Sequence, residues 1–228
     1  LSSRLDVEVD RNGATWAMSF RRGVPGSFAG DGPDAPFTPG AALTKVGRVA
    51  RGRTGTRVRY WPDRQIFLPD AQLSWSSLVA RARQTSFLVP GLELALTDQR
   101  ASEHVTEVFK HDGGISEFCD FLAGDAPVTD VLRLQGTDTF TETVPMLDAD
   151  GAMTPTDVDR TLEVDIALRW GAGYDSTVQS FVNIIATPKG GTHVQGFERG
   201  TVRAFAKALE GTRLLKAGDE IVKDDILE

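Results

Sequence analysis

The 228 residues carry 25 Lys and Arg against 32 Asp and Glu, a formal net charge of -7, with 40% hydrophobic and 25% charged residues. That length suits one large domain or two modest ones, and the composition is that of a soluble globular chain rather than a disordered, collagen-like or membrane one. No apolar run approaches the roughly 18 residues of a bilayer span, a lone Cys119 excludes a disulfide framework, and the acidic balance argues against gripping nucleic acid by bulk charge.

Leu1 opens directly into a strand-like run with no Met, basic n-region or h-region, so the chain reads as a piece cut from something longer. Leu5, Val7 and Val9 alternate with Asp6, Glu8 and Asp10, the period of a half-buried strand. Arg11-Asn12-Gly13 then predicts a hairpin into a second strand, Ala14 to Phe20. Gly23 to Gly40 is dense enough in Gly and Pro to be expected as a long surface loop. Thr56 to Trp61 is strand-like, Ser74 to Leu88 helical with Leu78, Val79 and Ala82 on one stripe, and Glu93 to Thr97 strand-like again.

A change of unit is expected in the polar stretch Asp98 to Glu103. Beyond it come a strand at Val105 to Phe109, a short helix at Ile115 to Leu122, strands at Arg133 to Val144 and Thr161 to Trp170 with turn chemistry between them, and a strand at Ser176 to Ile185. Val202, Phe205, Ala206 and Leu209 fall at i, i+3, i+4 and i+7, a helical face ready to pack on a sheet. Strands followed by helices in two blocks predict an α+β fold.

Among chemistry-bearing residues, His104, His111 and His193 lack the spacing that puts two imidazoles on one metal, so no metal site is expected. Cys119, between Phe118 and Phe121, reads as a buried inert thiol. Asp148, Asp150 and Gly151 echo a calcium loop, but Gly and the terminal Glu fall in the wrong places, which leaves a solvated turn. Lys45, Arg48, Arg51, Arg53, Arg57 and Arg59 form a run without an acid; they would meet phosphate or face solvent on an edge strand. Gly190-Gly191-Thr192-His193 precedes the last long helix, where it is either an anion site or simple turn geometry.

Several stretches together resemble one family. Thr54-Gly55-Thr56-Arg57-Val58-Arg59-Tyr60-Trp61-Pro62-Asp63, with Ile66-Phe67, resembles the T-G-T-x-V-R-F-W-P-D-x-x-I-F signature of the ATPase part of bacterial type II topoisomerase B subunits. His111-Asp112-Gly113-Gly114-Ile115 with Glu117-Phe118 resembles their Y-E-G-G-I-x-E-F segment. Ser180-Phe181-Val182-Asn183, Gly190-Gly191-Thr192-His193 and Gly196-Phe197 resemble their S-F-x-N-N through G-G-T-H-x-x-G-F segment, in a form closer to the topoisomerase IV-like branch, and Lys223-Asp224-Asp225 resembles the closing K-D-D. The matches run in order across essentially the whole chain.

The resemblance to the B subunits of gyrase and topoisomerase IV implies that residues 1–103 are the C-terminal portion of a GHKL-type ATPase domain and 104–228 a transducer domain of the ribosomal S5 domain 2-like class. It implies ATP and Mg2+ as cofactors of the intact protein, a B-subunit homodimer formed on ATP binding, a topoisomerase A subunit and DNA as partners, aminocoumarin inhibitors as ligands, and a cytoplasmic, nucleoid-associated setting. Thr56 matches the Thr whose hydroxyl meets the adenine, Val58 the apolar wall beside it, and Arg11 the Arg at the pocket mouth where aminocoumarins are contacted. The family's E-x-x-x-N helix with its general base and magnesium ligand, its D-x-G-x-G segment, its glycine-rich lid and its Gln-Thr-Lys loop are not found in these residues, and Ile184 replaces the second Asn beside Asn183. No catalytic residue is therefore assigned, and the 228 residues alone are expected not to turn over ATP. The alternatives are a dimerisation, relay or inhibitor-binding module without turnover, and a mismatch-repair or chaperone ATPase of the same folds.

Overall fold

The computed structural model describes the whole chain except residues 41–42, 69, 125, 150, 174–175, 213, 215–219 and 228. Asp150 of the calcium-like turn and the terminal Glu228 thus lie outside the described residues. The chain divides into two compact units, Leu1–Leu73 and Ser74–Glu228.

In the first unit, β1 (Ser2–Arg11), β2 (Ala14–Arg21), β3 (Val24–Phe28), β4 (Phe37–Pro39), β5 (Thr44–Arg48) and β6 (Gly55–Pro62) form one antiparallel sheet in the order β4-β3-β2-β1-β6, with β5 also paired to β2. The expected β1–β2 hairpin is present: Arg11 pairs with Ala14 across Asn12 (φ 54°) and Gly13 (φ 77°), the two left-handed positions that a right-twisted hairpin turn requires. The segment read as a loop, 23–40, contains two strands. β4 lies at the sheet edge, where fewer ladder donors are needed, while β3 runs between β4 and β2 with the Pro25 carbonyl accepting from the Gly40 amide. At Gly26 the backbones come so close that a Cβ would lie 2.4 Å from the Phe37 ring and 2.4 Å from the Thr38 carbonyl oxygen, so glycine is required there. Arg4 holds the intervening loop, donating from Nη1 to the carbonyls of Gly30 and Gly32 at 2.8 Å each, while its guanidinium stacks 4.1 Å from the Phe28 ring centre.

In the second unit, α1 (Trp75–Leu88) begins at Ser74, whose hydroxyl accepts from the Ser77 amide. Its buried positions are Ala82, Ser86 and Phe87, whereas Leu78, expected inside, is 38% exposed. It packs on the hairpin β7 (Glu93–Asp98) and β8 (Val105–Lys110). The expected change of unit at Asp98 to Glu103 therefore coincides with the turn of this hairpin, and residues 74–103 lie with the second compact unit. Phe87 is 1% exposed and stacks with Phe118 of α2 (Ile115–Leu122) and with the His111 ring, whose centre lies 3.6 Å away.

β9 (Leu132–Leu147) and β10 (Met153–Leu168) are 16 residues each and pair along their full length. Most of the segment read as a turn is strand, since β9 runs to Leu147 and β10 starts at Met153, and between them the Asp148 carboxylate accepts from the Ala152 amide at 2.9 Å. The predicted strand Ser176 to Ile185 is instead a tight hairpin, β11 (Phe181–Val182) and β12 (Ile185–Ala186), because Asn183 adopts φ 55° and reverses the chain. α3 (Thr192–Leu209) and the short α4 (Asp224–Leu227) follow. Trp170 ties them in, its ring edge-on to Phe205 at 5.8 Å and its indole N–H donating to the Ile226 carbonyl at 2.6 Å.

Candidate functional site

The Thr-Gly-Thr-to-Pro-Asp motif forms β6 and the turn after it. In the β1–β6 ladder Val9 pairs with Thr56, Val7 with Val58 and Leu5 with Tyr60; in the β1–β2 ladder the same three residues face Trp16, Met18 and Phe20. Directly paired residues share a face and alternate residues change face. Thr56 and Val58 therefore stand on the apolar side of the sheet. Arg11, two residues past Val9 on β1, lies on that side too, beside the hairpin turn and diagonal to Thr56. The three residues singled out in the sequence are brought together on one face.

Along β6 that face is exposed, while its β1 and β2 residues are half-buried. Val58 is 59% exposed and Tyr60 50%, and Ala14 is the only buried apolar residue among the described residues of the first unit. A sheet with one strongly apolar side must bury it against another layer or a ligand. Thr56 places one hydroxyl donor and acceptor within this apolar field, with Val58 as a flat wall and Arg11 as a cation at its end, a combination that suits a planar heterocycle with polar edges.

The opposite side of the sheet is charged. Glu8 pairs with Arg57 and Asp10 with Arg53 at 3.1 Å, Thr15 donates to Asp10 at 2.6 Å, and Arg59 lies over the Trp61 ring at 4.4 Å. A shallow cleft of about 230 Å3 runs along this edge between Glu8, Asp10 and residues 53–57. Its lining cations already have carboxylate partners, so we assign the cleft no ligand. Half of the basic run is thus taken up by acids of the same sheet or by stacking.

Asp63, which closes the motif, is structural. It is 4% exposed and accepts from Arg22 Nε at 2.6 Å and from the Gln65 amide at 2.9 Å. The Arg22 hydrogen bond, then the Gln65 amide, hold its carboxyl below the usual 3.8. Buried Arg4, with its ion pair to Asp6 and its aromatic neighbours, was not marked out by the sequence, since an Arg in an alternating strand looks like a solvent-facing residue.

The histidines separate. His104 is exposed, His111 bonds Glu117 at 2.8 Å, and His193 Nε2 meets the Thr187 hydroxyl at 3.1 Å. Among the described residues no three His, Cys, Asp or Glu side chains converge. Burial pushes the Cys119 thiol up, as expected of an unreactive cysteine. Gly190 (φ 70°) and Gly191 (φ 154°) turn the chain into α3, and a Cβ on Gly191 would meet the His193 ring at 3.0 Å.

The architecture is that of the GHKL ATPase domains. Over its whole length the chain superposes on the 43K ATPase domain of Thermus thermophilus gyrase B, solved with an aminocoumarin, with a TM-score of 0.71 and 29% identity, covering 53% of that chain. The B-subunit of the DNA gyrase from Myxococcus xanthus matches 93% of the chain with a TM-score of 0.60 and 27% identity, 52% of that chain being covered. A family model described as DNA gyrase B matches residues 114–228, and the chain belongs to that family. Relatives from both branches are similar. The DNA gyrase B protein of Streptomyces coelicolor is 30% identical over 245 residues, covering all of this chain and 31% of the relative. The DNA topoisomerase 4 B protein of Streptococcus pneumoniae is 28% identical over 221 residues, covering 96% of this chain and 28% of the relative. The chain spans less than a third of the length of these relatives. No helix among the described residues is long and apolar enough to cross a membrane.

Proposed function

We propose that the chain is part of the ATPase and transducer region of an ATP-dependent type II topoisomerase B subunit, in which residues 1–103 descend from the GHKL-type domain and 104–228 from an S5 domain 2-like transducer. Thr56, Val58 and Arg11 form its share of the nucleotide site. The observation that carries this reading is the register that sets Thr56 and Val58 on the apolar face with Arg11 beside them. ATP supplies the free energy for strand passage when bound. The residues present here hold its base: the Thr56 hydroxyl bonds the heterocycle edge, Val58 excludes water from its flat side, and Arg11 guards the mouth, where an aminocoumarin would also rest.

Magnesium is a cofactor of the intact protein, but no acidic cluster of the described residues fits it, and no step is assigned through it. DNA, a topoisomerase A subunit and a second copy of the B protein are the partners, in a cytoplasmic, nucleoid-associated enzyme. The transducer relays nucleotide state by shifting between two arrangements. In the second reading the 228 residues serve as a relay or inhibitor-binding module without turnover, favoured by the self-paired cations beside Thr56. Two assays test these readings. The longer protein carrying this chain, with its A subunit, should change DNA topology only with ATP, and failure there contradicts the topoisomerase reading. Magnesium-dependent hydrolysis by the 228 residues alone would contradict their inactivity.

A further inference from the structure

The hairpin end of the first sheet carries a second arginine on the side that bears Arg11. Ala14 links the two: it pairs with Arg11 in the β1–β2 ladder and with Arg48 in the β2–β5 ladder. Directly paired residues share a face, so Arg11 and Arg48 leave the sheet on the side of Thr56 and Val58, one on each flank of Ala14. The irregularity of the β2–β5 ladder lies between Thr15 and Trp16 and leaves the Ala14↔Arg48 pair intact. Ala14 is buried and ends in a methyl group, so that row has no long side chain between the two guanidinium groups. Two strand spacings put their Cα atoms about 10 Å apart, which lets two arginines close on one group from both sides.

The basic run thus divides by side. Arg53 and Arg57 pair with Asp10 and Glu8 on the charged side, and Arg59 lies over Trp61 there. Arg48 stands on the other side with Arg11, and neither makes an ion pair among the described residues. Guanidinium groups side by side repel unless an anion lies between them, and a planar anion accepts a fork of donors from each. The field around Val58 rejects charge, so an ionised group on a ligand belongs at the Arg11 end, with the neutral ring system toward Thr56.

We infer that Arg48 is a specificity-determining residue of the site proposed above: together with Arg11 it binds an anionic edge of the ligand. The site then favours planar heterocycles that carry an ionised acidic group. Arg48 has this role only if Thr56, Val58 and Arg11 form the nucleotide site. An aminocoumarin has the required chemistry, because the hydroxyl on its coumarin ring is ionised at neutral pH. Adenosine offers a planar heterocycle with polar edges and no charge.

Calorimetric titration of novobiocin, an aminocoumarin, and of adenosine into the longer protein carrying this chain tests the role. Arg48→Gln keeps much of the side-chain length and removes the charge. It should weaken novobiocin at least about fivefold while leaving adenosine within about twofold, and Arg48→Lys should recover part of the loss. Arg53→Gln, on the charged side, should change neither. Unaltered novobiocin affinity in Arg48→Gln overturns the inference. So does an equal loss for adenosine, which would make Arg48 a support of the sheet rather than a contact for the anion. Should Arg48→Gln fail to fold, Arg48→Lys still decides: a single point charge cannot reproduce the guanidinium fork, and novobiocin bound as tightly as by the wild type overturns the role. A wild-type protein that binds neither ligand contradicts the nucleotide-site reading itself, a failure distinct from that of Arg48.

Discussion

Val9 of β1 pairs directly with Thr56 of β6, and this pairing decides which side of the sheet the Thr56 hydroxyl occupies. A slip of one residue would turn Thr56 and Val58 to the charged side and bring Arg57 onto the apolar one. The register is fixed by that chemistry: β1 alternates apolar and charged residues, Glu8 faces Arg57, and Asp10 reaches Arg53.

Two glycines in strands should respond oppositely to the same change. Gly26→Ala forces a methyl group into the Phe37 ring and the Thr38 carbonyl, and should destabilise the first unit by about 1–3 kcal/mol through the lost β3–β4 pairing. Gly136 in β9 has open space around its Cβ position, so Gly136→Ala should be neutral or stabilising by up to about 1 kcal/mol. Urea unfolding of the two variants beside the wild type measures both.

The second unit hangs on Phe87. Its ring touches His111, Phe118 and Phe121 and is almost wholly removed from solvent. Phe87→Ala should cost about 3–5 kcal/mol, whereas Phe121→Ala, at a ring 54% exposed, should cost well under half of that. Thermal unfolding followed by near-ultraviolet circular dichroism distinguishes the two.

Asp63 gives the first unit an acid-sensitive tie. Its folded carboxyl is held below the ordinary value by Arg22 and the Gln65 amide, so the tie is fully present above about pH 4 and is lost as the pH falls through the lower folded value. Asp63→Asn should be less stable at neutral pH and should lose stability less steeply on acidification. A midpoint series from pH 7 down to about pH 2 checks the sign.

Much of the first sheet was legible in the sequence. The alternation of Leu5, Val7 and Val9, the Asn12-Gly13 turn and the Ser74 to Leu88 helix carry strong local signals, and the Gly190-Gly191-Thr192-His193 and Lys223-Asp224-Asp225 motifs lie within the residues that match the family. β3 and β4 were not legible because Gly and Pro report local cost, while the strand pairing and the tethers from Arg4 to Gly30 and Gly32 are long-range. The length of β9 and β10 was hidden for a related reason: Pro145 and Pro155 punctuate the sequence, yet they face each other in the ribbon, where outward positions need no ladder donor. The hairpin at Asn183 turns on one left-handed residue within an apolar run, which periodicity cannot distinguish from a strand.

The central claim, that the apolar face of the β1–β6 pair is the nucleotide site, is tested most directly by titrating ATP into the longer protein carrying this chain and into its Thr56→Ala and Arg11→Ala variants. Removing the hydroxyl that bonds the base should weaken binding by about 0.5–1.5 kcal/mol, or roughly two- to tenfold, and removing the cation at the mouth should weaken it less. Equal losses, or a larger loss for Arg11→Ala, would contradict the placement of the pocket.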